Sequence, residues 1–323
     1  MPVSWGIVST ADINRKVIPG AQASPEVDLR AVASRDRARA EAYAREWGIP
    51  VAYGSYEELL ADPEIEAVYV SLPNTLHLPW SERALEAGKH VLCEKPLARD
   101  PAAVDRAFDV AEQAGRILME AFMWRHNPQT AKLVELVAGG AIGELRLIRS
   151  VFSYSLYDPE NIRLIPELEG GALMDVGCYN VSASRLFGGE PERVWGEAWF
   201  GPSGTDWVFT GTMRLPGDVI ATFDCGTALT NRDELELVGS EGSLFVDDPW
   251  HCLQPGIELR GGDGAVERIE VERRDSYRLE LENLSAAARG AAQPLLGRED
   301  ALGQARVLEA LHRSATTSSP VGL

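Results

Sequence analysis

The chain has 323 residues, 45% hydrophobic and 25% charged, with 49 acidic against 31 basic side chains and a formal net charge of −18. That length exceeds the usual size of one core and argues for two domains, and the acidity argues against nucleic acid or an anionic membrane surface as partner. No apolar run reaches the roughly 20 residues of a membrane helix, the first residues enter a strand without a basic leader, and Cys93, Cys178, Cys225 and Cys252 lack CxxC or zinc spacing. The expectation is a cytoplasmic protein with buried thiols and no metal.

From residue 3 to about 120, short β-branched runs alternate with helical stretches, the grammar of a parallel sheet. Strands are expected at 3–9, 27–34, 51–53, 67–71, 89–93 and 117–120. Helices are expected at 37–47, 56–61, 75–87 and 101–114, with Gly48 and Gly88 ending two of them. Past residue 125 a helix at 131–137 leads into alternating segments at 144–154, 193–200, 207–214, 219–225, 234–238, 243–246 and 256–260, separated by turns such as Pro216-Gly217-Asp218. These predict an antiparallel sheet. A helix over 172–187 interrupts them, and late helices at 277–289 and 299–314 are free to pack on either domain. The fold class is α/β: a doubly wound parallel Rossmann domain over 1–122, then an α+β domain over 123–323 with a large open, mainly antiparallel sheet. Such a sheet needs its second face covered, so a homodimer or homotetramer through that face is expected.

A dinucleotide in the first domain would place its pyrophosphate at the turn after strand one. Ser9, Thr10, Ala11, Asp12 and Ile13 occupy that turn, and no glycine stands in it. Ala11 still permits close backbone approach, and the Ser9 and Thr10 hydroxyls are expected to donate to phosphate oxygens. Serine at position 9 carries a penalty if φ is positive. The second strand ends in Ser34-Arg35-Asp36. A hydroxyl and a guanidinium there suit a 2′-phosphate, favouring NADP, with NAD left open because Asp36 stands close by. After the strand at 67–71, Asn74 is a candidate helix cap and ribose or amide contact, and His77 lies on the first helical turn. A structural histidine is the commoner outcome at such a place.

Residues 90–97, His-Val-Leu-Cys-Glu-Lys-Pro-Leu, end an apolar strand in a carboxylate, an ammonium and a proline. Ligands of open α/β sheets bind beyond the carboxyl ends of the strands, so Lys95, held from behind by a proline of fixed φ, is placed for chemistry. Glu94 is expected to bind the cofactor ribose or to orient Lys95. Lysine occurs only at 16, 89, 95 and 132, which makes this one conspicuous.

Four segments together carry a resemblance: 71–77 (Ser-Leu-Pro-Asn-Thr-Leu-His), 87–97 with Glu94-Lys95-Pro96, 170–179 (Gly-Gly-Ala-Leu-Met-Asp-Val-Gly-Cys-Tyr) and 239–244 (Gly-Ser-Glu-Gly-Ser-Leu). In this order the chain resembles the glucose–fructose oxidoreductase, inositol dehydrogenase and rhizopine catabolism (Gfo/Idh/MocA) family along essentially its whole length. The resemblance implies NAD(P)-dependent oxidation or reduction of sugars or polyols. It implies cofactor contacts from the turn at 9–13 and from Leu72, Asn74, His77, Glu94 and Lys95, and a catalytic group of Lys95, Asp175 and the residue at 179. Many members have histidine at that last position, where this chain has Tyr179. With Ser34-Arg35, this is similar to an NADP-using branch that includes dimeric dihydrodiol dehydrogenase, D-xylose 1-dehydrogenases and nucleotide-sugar 3-ketoreductases.

Asp175 and Tyr179 are four apart in a predicted helix and so share a face. Hydride transfer needs a proton relay at the substrate oxygen. A free phenol titrates near 10, so Tyr179 is expected to work beside Lys95, which would stabilise the phenolate and orient the substrate oxygen; Lys95 as the acid/base is the reverse assignment. Trp124 and Arg125 are expected to close the nicotinamide pocket and His126 to bind a sugar hydroxyl, with Asn161 and Arg163 as further substrate contacts. The leading expectation is an aldose dehydrogenase of the D-xylose or D-glucose type. The alternatives are a nucleotide-sugar 3-ketoreductase, a trans-dihydrodiol dehydrogenase with a cleft lined by Trp124, Phe152, Tyr154 and Tyr157, and a non-enzymatic NADP-binding sensor.

Overall fold

A computed structural model describes residues 1–156, 158 and 160–323. The chain divides into two compact units, residues 1–123 with 275–302 and residues 124–274 with 303–323.

The first unit alternates strand and helix: β1 (Val3–Val8), α1 (Asn14–Ala23), β2 (Val27–Ala33), α2 (Arg37–Trp47), β3 (Val51–Tyr53), α3 (Tyr56–Ala61), β4 (Ala67–Val70), α4 (Asn74–Glu86), β5 (His90–Glu94), α5 (Pro101–Ala114) and β6 (Leu118–Ala121). The strands lie in the order β3-β2-β1-β4-β5-β6 and every neighbouring pair is parallel. Every residue of β1, β4 and β6 is buried, as parallel strands covered on both faces require, and β4 accordingly reads as an unbroken apolar run. The helices carry their own stop and start signals. Asp36 caps α2 by accepting the Arg39 amide, and Gly48 ends it at φ 64°; Asp100, Pro101 and Gly115 do the same for α5.

Three strands stop one residue earlier than the sequence pattern predicts. β1, β2 and β4 end at Val8, Ala33 and Val70, leaving Ser9, Ser34 and Ser71 as the first residues off the sheet. Asn74 is not a cap either; α4 begins on Asn74 itself, with Pro73 at the cap position.

The second unit holds α6 (Pro128–Ala138), β7 (Leu145–Ser155), α7 (Cys178–Gly188), β8 (Arg193–Phe200), β9 (Asp206–Arg214), β10 (Ile220–Gly226), β11 (Ala228–Gly239), β12 (Gly242–Val246), β13 (Gly256–Gly261) and β14 (Val266–Glu270). Its sheet runs β14-β13-β12-β11-β7-β10-β9-β8-β15, where β15 is Val321–Gly322. The β7–β10 pair is parallel and the remaining pairs are antiparallel. One face is covered by α7, where Asn180 Nδ2 donates to Ser150 Oγ at 2.9 Å. The other carries a register row of Trp195, Thr212, Thr222, Arg149 and Glu236, and Trp199 there is 57% exposed.

Of the late helices, α8 (Ser276–Ala288) belongs to the first unit, and α9 (Arg298–Thr317) is divided at residue 302. Trp5 Nε1 on β1 donates to Ser285 Oγ on α8 at 3.1 Å. Gly20 lets α1 and α8 approach, since a Cβ there would stand 3.0 Å from the Arg278 amide nitrogen.

Candidate active site

In the first unit the predicted residues line the carboxyl edge of the parallel sheet, where the order reverses between β1 and β4. Ser9 takes φ 135°, a conformation that favours glycine, and its own side chain compensates. Ser9 Oγ accepts the Ala11 amide at 3.0 Å and lies 2.9 Å from the Ser71 carbonyl. Ser71 Oγ donates to Asn14 Oδ1 at 2.7 Å, and Asn14 Nδ2 donates to the Ser9 carbonyl at 3.0 Å. This closed ring of bonds does what glycine would do. It corrects one expectation: the Ser9 hydroxyl is turned inward, 7% exposed, and shapes the turn rather than donating to phosphate. The sequence pattern contained Asn14 and Ser71 but gave neither a role, although Asn14 is a fully buried polar residue at a helix start. No side chain caps α1, and the Asp12 carboxylate faces solvent beside Arg15 at 3.2 Å. The amides of Asn14, Arg15 and Lys16 are taken by the Ala11, Asp12 and Ile13 carbonyls at 3.2, 3.1 and 2.9 Å, so what this helix start offers a pyrophosphate is its dipole and the turn before it.

At the tip of β2, Asp36 is engaged as the α2 cap, its Oδ1 accepting Arg39 N at 2.9 Å, which turns one of its carboxylate oxygens to the helix start. Ser34 Oγ accepts the Asp36 amide at 3.3 Å. Burial raises the Tyr56 phenol, and the guanidiniums of Arg35 and Arg39 oppose that rise, so both arginines stand beside it. Arg39 also reaches the Thr10 carbonyl at 3.4 Å, linking this tip to the phosphate turn. The sequence reading found Arg35 and missed Arg39, which only the first turn of α2 brings alongside. Two guanidiniums and a serine fit a phosphate monoester.

The loops after β4 and β5 are tied together. His77 is 1% exposed, with Nδ1 2.8 Å from the Pro96 carbonyl and Nε2 2.7 Å from the Leu72 carbonyl. His77 thus positions both loops and offers no ring nitrogen to a cofactor, a correction to its assignment as a contact. The Lys95–Pro96 peptide is cis. Glu94 accepts the Tyr69 phenol on Oε1 and the Lys95 amide on Oε2, the latter at 3.2 Å, and Glu120 Oε1 accepts the Leu97 amide at 2.9 Å. The Lys95 backbone is therefore pinned on both sides, one residue past the end of β5.

In the second unit, residues 173–177 form a π-helical turn that enters α7, so Asp175 sits on the turn and Tyr179 on the helix proper. π-turns gather at functional sites. Gly171, at φ 122°, has no room for a side chain: a Cβ would lie 1.9 Å from Asp206 Oδ1, whose partner oxygen accepts the Leu173 amide at 2.7 Å. Asp175 is clamped by Tyr154, whose phenol donates to Oδ2 at 2.6 Å, and by Arg163 Nε at 3.0 Å from Oδ1. Asn161 caps the short turn that carries Arg163, accepting its amide at 3.1 Å. Asn161, Arg163 and Asp175 thus form one group, and Tyr154 joins it as a positioning phenol that the sequence pattern did not single out for this role.

Tyr179 stands edge-on to Phe152 at 5.2 Å between ring centroids and 5.8 Å from Trp250. Trp124 packs edge-on to Trp250 at 5.4 Å and is 0% exposed, so it is a wall of this aromatic cluster and not, as expected, a substrate contact. Arg125 lies 5.8 Å from the Trp124 ring centroid and donates to Ser182 Oγ at 3.4 Å. His126 Nε2 is buried without a hydrogen-bond partner among the described residues. Tyr157 lies outside the described residues. Asp233, Asp248 and His251 have ligand-type atoms within 4.8 Å of one another, but Asp248 accepts the amides of Cys252 and Gln254 at 3.0 and 2.9 Å and so closes a turn.

Burial pushes the imidazoles of His77 and His90 down to about 4 and that of His126 to about 3; at His77 the Pro96 and Leu72 carbonyls oppose it, and the neutral ring donates to one of the two. The unfolded chain takes up these protons below about pH 6.5, so stability is full above that pH and falls as pH drops towards 4 and then 3. Thermal unfolding followed from pH 7 to 4 should show Tm falling steadily, with a shallower fall in His126→Asn.

The first unit is a Rossmann domain whose loops suit a nucleotide phosphate, and the second presents a clamped carboxylate and a phenol on one helix, the parts of a two-domain pyridine-nucleotide oxidoreductase. A family model described as an oxidoreductase family with NAD-binding Rossmann fold matches residues 3–122, and the GFO/IDH/MocA C-terminal domain model matches residues 130–245. The chain belongs to the Gfo/Idh/MocA oxidoreductase family. It is 41% identical over 325 aligned positions to "D-xylose 1-dehydrogenase (NADP(+)) 2" of Haloferax volcanii, covering 99% of each chain. It is similar to a 3-ketoreductase from Actinomadura kijaniata solved with NADP and TDP-benzene, at TM-score 0.91 and 31% identity over 97% of this chain and 98% of that one. The aldose-aldose oxidoreductase from Caulobacter crescentus, solved with glycerol, matches at TM-score 0.93 and 27% identity over 100% of both chains.

Proposed function

We propose that this protein is an NADP(H)-dependent dehydrogenase of the CH–OH group, oxidising an aldose of the D-xylose or D-glucose type. The observation that carries this reading is the clamped Asp175 with Tyr179 one turn on, in a chain similar over nearly its whole length to an NADP-dependent D-xylose dehydrogenase. NADP, when bound, accepts or supplies the hydride. The turn at 9–13 and the positive end of the α1 dipole would hold its pyrophosphate, Ser34, Arg35 and Arg39 its 2′-phosphate, and Glu94 and Asn74 its ribose or amide. Tyr179 exchanges the proton at the substrate oxygen, Lys95 orients that oxygen, and Asp175, fixed by Tyr154 and Arg163, holds a neighbouring hydroxyl. The test is NADP+ and NAD+ reduction across aldoses, inositols, trans-dihydrodiols and dTDP-sugars. Turnover of an aldose with NADP+ supports the reading. Turnover of dTDP-sugars alone would favour the 3-ketoreductase reading, towards which the likeness to the Actinomadura enzyme points.

We also infer a homo-oligomer built through the open sheet face, since Trp195, Trp199 and Phe200 leave apolar surface there. Light scattering should give a dimer or tetramer, and Trp199→Glu should shift it towards monomer. No helix among the described residues is long and apolar enough to cross a membrane. Four free buried thiols suit the reducing cytoplasm, where we place the protein.

A further inference from the structure

In the second unit, β7 turns Ser150, Phe152 and Tyr154 towards the face that α7 covers, since side chains alternate along a strand. Two of them already belong to the site: Tyr154 holds Asp175, and Phe152 packs edge-on to Tyr179. Asp233 on β11 is the register partner of Phe152, so its side chain rises from the same face. There it meets His251, whose Nδ1 lies 3.2 Å from Asp233 Oδ2. The imidazole stands edge-on to Phe152 at 5.6 Å between ring centroids. Phe152 is therefore in contact with the phenol ring of Tyr179 and with the imidazole of His251.

The turn that presents His251 is fixed from several sides. Trp250, 0% exposed, donates its Nε1 to the Val151 carbonyl at 3.0 Å. Gln129 Nε2 donates to the Asp248 carbonyl at 2.9 Å, and Gln129 Oε1 accepts the Gly256 amide at 2.8 Å. His251 itself keeps 28% of its side-chain surface open, so a rigid turn holds a part-open imidazole beside the aromatic cluster, ordered before any ligand arrives. A carboxylate against Nδ1 fixes the neutral ring as the Nδ1–H tautomer, which makes Nε2 a hydrogen-bond acceptor. An acceptor suits a hydroxyl, and an aldose carries several hydroxyls beyond the carbon that is oxidised. A trans-dihydrobenzenediol has one besides the reacting group, and Asp175 would meet it.

We propose that His251, held by Asp233, binds substrate and sets specificity: it accepts a hydroxyl of a polyhydroxylated substrate at a carbon remote from the one oxidised. Asp233 is the positioning residue that fixes its tautomer. This rests on the reading of Asp175 and Tyr179 as the reacting end, and it narrows the substrate class to sugars and polyols.

His251→Ala should lower kcat/KM for D-glucose about tenfold through KM, the effect of one hydrogen bond to a hydroxyl, with NADPH affinity unchanged. His251→Gln, which carries an acceptor near the place of Nε2, should recover most of that loss. Asp233→Asn should reproduce the loss, because an amide in place of the carboxylate lets the ring take the other tautomer. Deoxy sugars separate recognition from packing. Of 3- and 4-deoxy-D-glucose, one should be used about tenfold less efficiently than D-glucose by wild type, yet lose nothing further in His251→Ala. An equal loss for every sugar, or no loss for any, would overturn the proposal. A readout without turnover uses 15N-labelled histidine in the NADPH complex, with His251→Gln assigning the signal. Saturating D-glucose should shift the Nε2 resonance of His251, and an unmoved resonance would sink the proposal. Should Tyr179→Phe retain full activity, the assignment of the reacting end fails while that resonance still reports on His251, so the two failures are separable.

Discussion

Tyr179→Phe is expected to lower kcat by about a hundred- to ten-thousandfold, the range a positioned acid/base contributes. Only the phenolic oxygen is removed. The ring that packs against Phe152 and Trp250 stays, so α7 keeps its place, and NADPH affinity should change by less than about twofold. Steady-state kinetics with the best aldose, beside a fluorescence titration of NADPH, separates the two quantities. A variant with near-normal kcat would transfer the proton role to Lys95, and Lys95→Met would then show the larger loss. Replacing Tyr154 by phenylalanine frees one oxygen of Asp175 and leaves Arg163 in place, so it should raise KM more than it lowers kcat.

The second large effect concerns the choice of nucleotide. Hydrogen bonds to charged groups contribute about 1.5–3 kcal/mol each, so Arg35→Ala combined with Arg39→Ala should reduce kcat/KM for NADP+ by about a hundredfold or more. The same pair should leave NAD+ nearly unchanged, because NAD+ lacks the 2′-phosphate that these guanidiniums meet. Ser34→Asp in that background should favour NAD+, since it sets a carboxylate at the strand tip where a ribose 2′-hydroxyl would lie. The ratio of kcat/KM for the two nucleotides is the measurement. An unaltered ratio would mean that the 2′-phosphate is held elsewhere.

Much of this protein was legible in its residues taken in order. Unbroken apolar runs such as Ala67–Val70 announced strands buried on both faces, alternation past residue 140 announced a sheet with one open face, and the Gly48 and Gly88 stops were readable from conformational preference alone. Residue type also pointed to Lys95 and Arg35, an amine after a buried strand and a guanidinium at a strand tip, whereas Asp175 and Tyr179 were implied by the family resemblance, their spacing of four then placing both on one face.

Only the tertiary structure decided what each polar group does with its bonds, because those partners lie far apart in the chain. Ser9 proved to be an inward-turned substitute for glycine through Ser71, 62 residues away. His77 became a strut between two loops rather than a ligand contact, Arg163 became the clamp on Asp175, and Trp124 was sealed into an aromatic core. Sequence specifies which side chains exist and which elements they favour, since propensity and periodicity act over a few residues. Hydrogen-bond satisfaction and burial are set by what the folded chain brings alongside, and in this protein they separate the side chains that shape the site from those offered to ligands.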